Sequence, residues 1–376
     1  MTIGLLLPQS SLYPTLPFDL VEGLRAGLDE VSLADTKLVL EGIDYGTNPA
    51  NVQTKAQKLL LQEGADVVVG MVSKRVGDAL APMFATANRL LLVLDVIGEF
   101  FSGQPSASEA PTSHVYYHSL QTCAGTWLAG RDAAALGPVI QTASYYDSGY
   151  LQGYAVSQGV AAGGSTMGQW AISPLKTADF TLAQLQTGLE QDAGNSIVAL
   201  YTADMAEQFF AGYVALPPHR DVPIWGGPLL LEEQTLAKVP YQTEGIRGYV
   251  AWSQTLDNPL NQRFQEALRR RGRHPNLFSL LAYEAASILL TYLADLSAID
   301  QLATSSFDSP RGTITMNATT HYTSGPLYEA TVLASDTGHC RLHPGAPVST
   351  NDPIDHLLAQ GQLNTYANWF NTYLCI

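Results

Sequence analysis

Few residues of this chain have the type and spacing to do chemistry. His114 and His118 flank Val115-Tyr116-Tyr117 and would share one face of a strand. A metal needs at least one further ligand fixed nearby, and none is evident, so no metal site is expected. His118 remains a candidate for hydrogen bonding near a cleft. Ser173-Pro174-Leu175-Lys176 fits the S-x-x-K pattern of acyl-transferring serines, but its proline disfavours the helix that would aim both side chains together. There is no G-x-S-x-G turn to expose a nucleophilic serine, no G-x-x-x-x-G-K-[ST] loop and no G-x-G-x-x-G turn after the first strand. Neither a catalytic constellation nor a bound cofactor is expected.

Composition narrows the partners. The 34 acidic and 19 basic residues give a formal charge of -15, which repels a phosphate backbone, so nucleic acid is excluded as a partner. The one basic run, Arg269-Arg270-Arg271-Gly272-Arg273, ends a predicted helix, where cations meet the negative end of the dipole; the alternative is a docking surface. The three cysteines lack paired short spacing, and Cys123, beside Ala124 and Trp127, reads as core. Asn317-Ala318-Thr319 fits the N-glycosylation pattern, which chance supplies too often to carry weight.

Elements to hold these residues are written in a βαβ rhythm. Ile3–Leu7 reads as a strand, Leu20, Leu24, Leu28 and Val31 fall at helical spacing, and Lys37–Glu41 reads as the next strand. Pro49 and Asn51 open a helix that Gly64 stops, and the strand Asp66–Gly70, a helix over 73–87 and the strand Leu90–Leu94 follow. Buried strands written as continuous Val/Leu runs between helices indicate a parallel sheet covered on both faces. The rhythm repeats with strands at 139–143, 166–171, 197–201 and 222–225, without a close sequence repeat. Helices over 259–271 and 278–296 and a hairpin-like region over 312–333 follow. Beyond Ala334 only 354–358 and 363–374 look structured. A length of 376 residues with 46% hydrophobic composition suits two cores. The longest continuous apolar runs fall far short of the roughly 20 residues that cross a bilayer.

The chain resembles the type I periplasmic solute-binding proteins, in the branch serving branched-chain amino acid and amide (Leu/Ile/Val-binding-like) ABC transporters, from residue 3 to about 333. The resemblance rests on Ile3-Gly4-Leu5-Leu6-Leu7-Pro8, Asp44 before Asn48-Pro49-Ala50, Gly64-Ala65-Asp66-Val67-Val68-Val69-Gly70, Asp147-Ser148-Gly149-Tyr150, Pro259-Leu260-Asn261, Tyr283-Glu284-Ala285-Ala286 and Ser309-Pro310-Arg311-Gly312, in that order. It implies an α/β fold of two Rossmann-like lobes joined by three hinge crossovers near 117–120, 248–252 and 327–330. The N-terminal lobe would comprise 1–118 plus 250–328 and the C-terminal lobe 119–249 plus 329–376. Ligand would be held at the strand ends, where open α/β sheets bind, and enclosed by hinge closure.

The resemblance also assigns contacts. Ser73 matches a serine that meets the ligand carboxylate at a helix N-terminus; it is equally an ordinary N-cap, and the roles can coexist. Asp95-Val96-Ile97-Gly98 matches a ligand-touching loop, with Ile97 and Gly98 as contacts. Asp95 departs from the usual small or apolar residue there, and would receive an ammonium or hydroxyl or else bond its own loop. Tyr150 and Tyr201 match tyrosines laid over the ligand, with Asp204 as a further contact. Gly226-Gly227-Pro228 matches a glycine-rich turn, but the glutamate that pairs an α-ammonium in that turn is replaced by leucines, with acidic residues only at Glu232 and Glu233. An unmodified α-amino acid is thereby in doubt: a small amino acid survives if Asp95 or Asp204 takes over the ammonium, and otherwise an amide or an amine-free carboxylate fits better. The first loop offers Tyr13, Pro14, Pro17 and Phe18, which would roof the pocket or pack over the sheet edge.

By the same resemblance the partners are a small-molecule ligand and the membrane permease of an ABC transporter, and the location is periplasmic or anchored outside the cytoplasmic membrane. A strand starting directly after Met1 leaves no room for a signal peptide, so either a signal has been removed or the protein is cytosolic. The cytosolic alternative is an amide-sensor-like regulator of the same fold signalling to a partner protein. An extracytoplasmic location would permit a disulfide between Cys340 and Cys375.

Overall fold

The structure, a computed structural model, describes residues 1–100, 114–145, 150–174, 176–216, 222–239, 243–296, 299–335 and 338–360. Its strands, in chain order, are β1 (Thr2–Leu7), β2 (Lys37–Gly42), β3 (Val67–Gly70), β4 (Leu90–Asp95), β5 (Val115–Ser119), β6 (Val139–Ala143), β7 (Met167–Ile172), β8 (Ser196–Leu200), β9 (Ile224–Gly226), β10 (Arg247–Val250), β11 (Ser306–Ser309), β12 (Gly312–Met316), β13 (Thr323–Ser324), β14 (Leu327–Ala334) and β15 (Cys340–Val348). The chain divides into two compact units and passes between them at Leu120–Gln121, Thr255–Leu256 and Gly325–Pro326. The second changeover lies past Val250 because Ser253 and Gln254 are tied to Glu233 of the second unit: the Ser253 hydroxyl and the Gln254 N–H each donate to its carboxylate at 2.8 Å.

The first unit carries a sheet in the order β2-β1-β3-β4-β5, parallel throughout. β3 and β4 are buried along their whole length, as their unbroken Val/Leu sequences require when helices cover both faces. The helix Leu16–Glu30 turns Leu16, Leu20, Val21, Leu24 and Leu28 inward, each burial contributing roughly 1.5–3 kcal/mol. It crosses the helix Leu277–Ala294 so closely that a Cβ on Gly23 would overlap the Ser279 carbonyl. Leu277–Ala294 is long and apolar enough to cross a membrane by length and composition, yet most of it is buried inside the unit. Its start is fixed by a capping box, in which Asn276 accepts from Ser279 N at 2.9 Å and the Ser279 hydroxyl receives the Asn276 N–H at 3.0 Å. Asn48 and Asn258 cap Pro49–Leu61 and Pro259–Arg270 with their side-chain oxygens alone, accepting from the backbone N–H groups of the first turn. β11, β12 and β13 form a small antiparallel sheet.

The second unit orders its sheet β15-β14-β10-β9-β8-β6-β7, parallel from β10 to β7 and antiparallel at β14 and β15. The helices Thr122–Ala134 and Tyr150–Ala162 lie close enough that a Cβ on Gly159 would overlap the Trp127 carbonyl. Two expectations are corrected here. The hairpin-like stretch over 312–333 is divided between the units, β12 and β13 in the first and β14 in the second. The Pro-containing run Cys340–Val348 is a strand, tolerated because β15 is a sheet edge, where a proline need not donate to a neighbour. The helix Asn351–Gln360 packs onto this unit, His356 lying 5.3 Å from Trp127. The expected element over 363–374 lies outside the described residues, as does Cys375 of the proposed disulfide; Cys340 is buried 3.3 Å from the Thr243 hydroxyl.

Candidate functional site

The orders β2-β1-β3-β4-β5 and β7-β6-β8-β9-β10 are both doubly wound. In such sheets the crevice opens at the carboxyl ends of the strands, where the order reverses.

In the first unit, Ser73, Asp95, Ile97 and Gly98 stand at the ends of β3 and β4. Ser73 is the N-cap of the helix Lys74–Ala87, its hydroxyl accepting from Val76 N at 3.4 Å. Asp95 is buried and binds its own loop: Ile97 N donates at 3.0 Å, Gly98 N at 2.7 Å and the Ser119 hydroxyl at 3.0 Å. Burial pushes this carboxyl up while those donors pull it back. With Gly98 in the left-handed region at φ 86°, the loop folds back and carries Glu99 to the start of the helix. There the Lys74 N–H donates to the Glu99 carboxylate at 3.2 Å. Burial, followed by the nearby Asp95, raises Glu99 to about 8. Beside it, the Lys74 ammonium holds Asp78 at 2.5 Å, the Tyr117 hydroxyl donates to Asp78 at 2.9 Å, and Tyr117 stacks on Tyr322 at 4.3 Å. Tyr13 packs edge-on against Phe278 at 4.7 Å, in a turn held by Ser10, whose hydroxyl accepts from Tyr13 N at 3.0 Å.

His118 is corrected. It is fully buried within the first unit, with Nε2 2.9 Å from Glu284 and Nδ1 3.1 Å from the Thr323 hydroxyl. That hydroxyl accepts from Ser119 N at 2.8 Å, so its own proton faces Nδ1 and the imidazole N–H is assigned to Nε2. Burial lowers the histidine, keeping it neutral. Glu284 also receives Arg311 Nε at 3.0 and 3.1 Å, and Arg311 donates to the Ser119 carbonyl at 3.0 Å. Burial pushes Glu284 up, but Arg311 and His118 outweigh it and hold the carboxyl below its usual range. His114 is separate, bonded to Asn88 at 3.0 Å.

In the second unit a small hollow at the ends of β8 and β9 is lined by Gln152, Leu200, Tyr201, Thr202, Gly227, Pro228, Leu229 and Leu230. Gly227 lies in this lining, its N–H donating to Ala199 O at 2.8 Å. Tyr201 reaches the hollow only in part. Its hydroxyl lies 2.6 Å from Thr142 Oγ1 and 3.3 Å from Ser173 Oγ, and its ring stacks on Phe209 at 4.7 Å. Asp204 receives the Thr177 hydroxyl at 2.6 Å and the Met205 N–H at 2.9 Å. Ala203 sits at φ 50°, a conformation costing an alanine roughly 1–2 kcal/mol. Such strain clusters at ligand-holding turns. Tyr150 opens the helix Tyr150–Ala162, and its side chain lies outside the described residues. Glu233 is occupied by Ser253 and Gln254, and burial raises it.

Sequence reasoning missed Glu99, Gln152, Thr202 and the Glu284–Arg311 pair. The Asp-x-x-Gly-Glu spacing after β4 was the available signal for Glu99, since an aspartate bonding two and three residues ahead followed by glycine folds a loop back. Among the described residues no three His, Cys, Asp or Glu side chains gather as metal ligands.

A model of the periplasmic binding protein family matches residues 1–337. Three solved structures are similar. An ABC transporter substrate-binding protein from Sphaerobacter thermophilus is 17% identical over 93% of this chain and 98% of that one, with a TM-score of 0.79. A solute-binding protein of an ABC transporter from Rhodopseudomonas palustris in complex with benzoate is 20% identical over 93% and 97%, TM-score 0.71. An ABC-type branched-chain amino acid transporter protein from Rhodopseudomonas palustris CGA009 is 18% identical over 93% and 97%, TM-score 0.74. At these identities the likeness is one of fold. No curated protein matches the sequence.

Proposed function

Since the chain belongs to the periplasmic binding protein family, whose members bind solutes rather than transform them, we propose that it is the solute-binding receptor of an ABC transporter for a small organic carboxylate without an α-ammonium. It would work outside the cytoplasmic membrane and present the acid to a membrane permease.

The observation that carries the ligand class is the occupation of the carboxylates able to pair an ammonium. Asp95 is bonded by two backbone N–H groups and Ser119, Asp204 by Thr177 and Met205 N, and Glu233 by Ser253 and Gln254. An α-ammonium would have to share oxygens that already accept from these donors, each existing bond contributing about 0.5–1.5 kcal/mol or more where the acceptor is charged. Ser73 at a helix N-terminus suits an anion. The hollow in the second unit, with Leu200, Pro228 and Leu229 beside Gln152, suits an apolar body. A similar fold holds benzoate in a solved complex.

The test is a thermal-shift screen of benzoate, 4-hydroxybenzoate, leucine, isobutyramide and glucose. A ligand present at a hundredfold excess over its Kd stabilises by about 2.7 kcal/mol, so binders separate from non-binders. Benzoate or 4-hydroxybenzoate is expected to raise the melting temperature. Leucine or glucose as the sole hit would defeat the ligand class, and turnover of a bound compound would defeat the receptor reading.

A further inference from the structure

Resting on the reading that the ligand is an acid with an apolar body, we propose that Gln152 is a specificity-determining residue: it makes the hollow of the second unit a subsite for one neutral hydroxyl group carried by that body. Three neighbouring strand ends supply the walls. Gln152 comes from the helix after β6, Leu200 from the end of β8, and Pro228, Leu229 and Leu230 from the turn after β9. The hollow encloses about 20 Å³. That exceeds the roughly 10–15 Å³ that a water-sized group needs and is far below the roughly 150 Å³ of a cavity that takes up benzene. It therefore admits one substituent of a ring, not the ring.

The amide of Gln152 is fixed before any ligand arrives. Its Oε1 accepts from the Thr126 hydroxyl, and its Nε2 donates to Thr122 Oγ1 at 2.9 Å. Both threonines are buried in the helix Thr122–Ala134, and the Thr126 hydroxyl is also 2.8 Å from the Thr122 carbonyl. Whichever way the amide is turned, these contacts use one N–H and one lone pair, so one of each is left. Among the described residues nothing else takes them. A hydroxyl both donates and accepts and can answer either group, whereas a methyl of the same size answers neither and leaves the amide desolvated. Because the amide is already held by two threonines, binding costs it little rotamer freedom. The leucine and proline walls lower the local dielectric around the new hydrogen bond. Tyr201 does not compete for it, since its hydroxyl is turned to Thr142 and Ser173. Among the described residues no acidic or basic side chain lines the hollow, so a second carboxylate or an ammonium would enter without a counter-charge.

Calorimetric titration of the intact protein with benzoate, 3-hydroxybenzoate, 4-hydroxybenzoate and the two matching methylbenzoates tests this. One of the hydroxy acids should bind the natural protein about 3- to 10-fold tighter than benzoate and than its methyl counterpart, the range for one hydrogen bond gained. In Gln152→Leu that ratio should fall to near one or turn in favour of the methyl acid, whatever shift all five acids share. Gln152→Met, unbranched and equally without an amide, takes its place if the leucine variant fails to fold by circular dichroism. Methylbenzoates binding the natural protein as tightly as the hydroxy acids, or a hydroxyl preference undiminished in the variant, overturns the proposal and leaves the carboxylate reading standing. No binding of any of the five acids by the natural protein removes both.

Discussion

Replacing Glu284 with Gln is expected to destabilise the first unit by about 3–5 kcal/mol, the range for removing one member of a buried ion pair. The size follows from what would be left behind. Arg311 is wholly buried and has both oxygens of Glu284 within 3.1 Å of its Nε. With a neutral amide opposite, the guanidinium keeps the Ser119 carbonyl at 3.0 Å but loses its counter-charge. His118, buried and neutral, cannot supply one. The assay is urea denaturation followed by far-UV ellipticity, because the described tryptophans, Trp127, Trp170, Trp225 and Trp252, all belong to the second unit. A double substitution, Glu284→Gln with Arg311→Met, removes the stranded charge and should recover most of the loss. A cost below about 1 kcal/mol for Glu284→Gln, or a double variant no better than the single, would refute the account of a charge-balanced buried network.

Three further outcomes follow from the same contacts. Tyr201→Phe takes the phenol partner from the Thr142 hydroxyl, while Ser173 keeps the Thr181 carbonyl, and should cost about 1–3 kcal/mol in denaturant unfolding, with benzoate affinity changed less than threefold. Gly23→Ala forces the helix Leu16–Glu30 away from Ser279 and should cost about 1–3 kcal/mol, measured as a lowered urea midpoint at constant slope. The pH profile of unfolding should bend down on both sides. Glu99 is raised from 4.5 to about 8 in the folded state, so its contribution is full below pH 4.5 and lost as pH rises toward 8. His118 and Glu284 are lowered in the folded state, so theirs is present above their unfolded values and lost as pH falls. Glu99→Gln should flatten the alkaline limb and leave the acid limb in place.

The parallel core was legible because burial on both faces leaves a strand no choice of composition. Val67-Val68-Val69 and Leu90-Leu91-Leu92-Val93 can be nothing but inner strands between helices. β15 was not legible, since Pro344, Gly345 and Pro347 weigh against a strand until one knows that it is an edge. The same asymmetry runs through the site. Ser73 and Gly227 could be placed because backbone geometry at strand ends is dictated by topology. Asp95, Asp204 and Tyr201 were identified as polar groups at the right strand ends, but whether each faces a ligand depends on partners such as Ser119, Thr177 and Thr142, which local sequence does not bring near. His118 failed most fully, because its partners Glu284, Arg311 and Thr323 come from distant segments.

Four carboxylates, Glu284, Asp95, Glu99 and Glu233, separate into two kinds by the partner each has. Glu284 faces a guanidinium and is held ionised, so it acts as a fixed charge whose protonation state is the same across the physiological range. Asp95, Glu99 and Glu233 are held by N–H and hydroxyl groups, and burial raises all three. Dipoles alone do not offset desolvation as a full counter-charge does, so these groups retain the option of carrying a proton. The first kind lies among β5, β12 and the long helix of the first unit, where a fixed charge secures packing. The second kind lies at or just beyond strand ends, Asp95 and Glu99 after β4 and Glu233 after the turn that follows β9. Within each unit the division has one consequence: Glu284 keeps a constant charge in the interior, while Asp95, Glu99 and Glu233 have no guanidinium opposite and are the carboxyls that burial moves toward the neutral form.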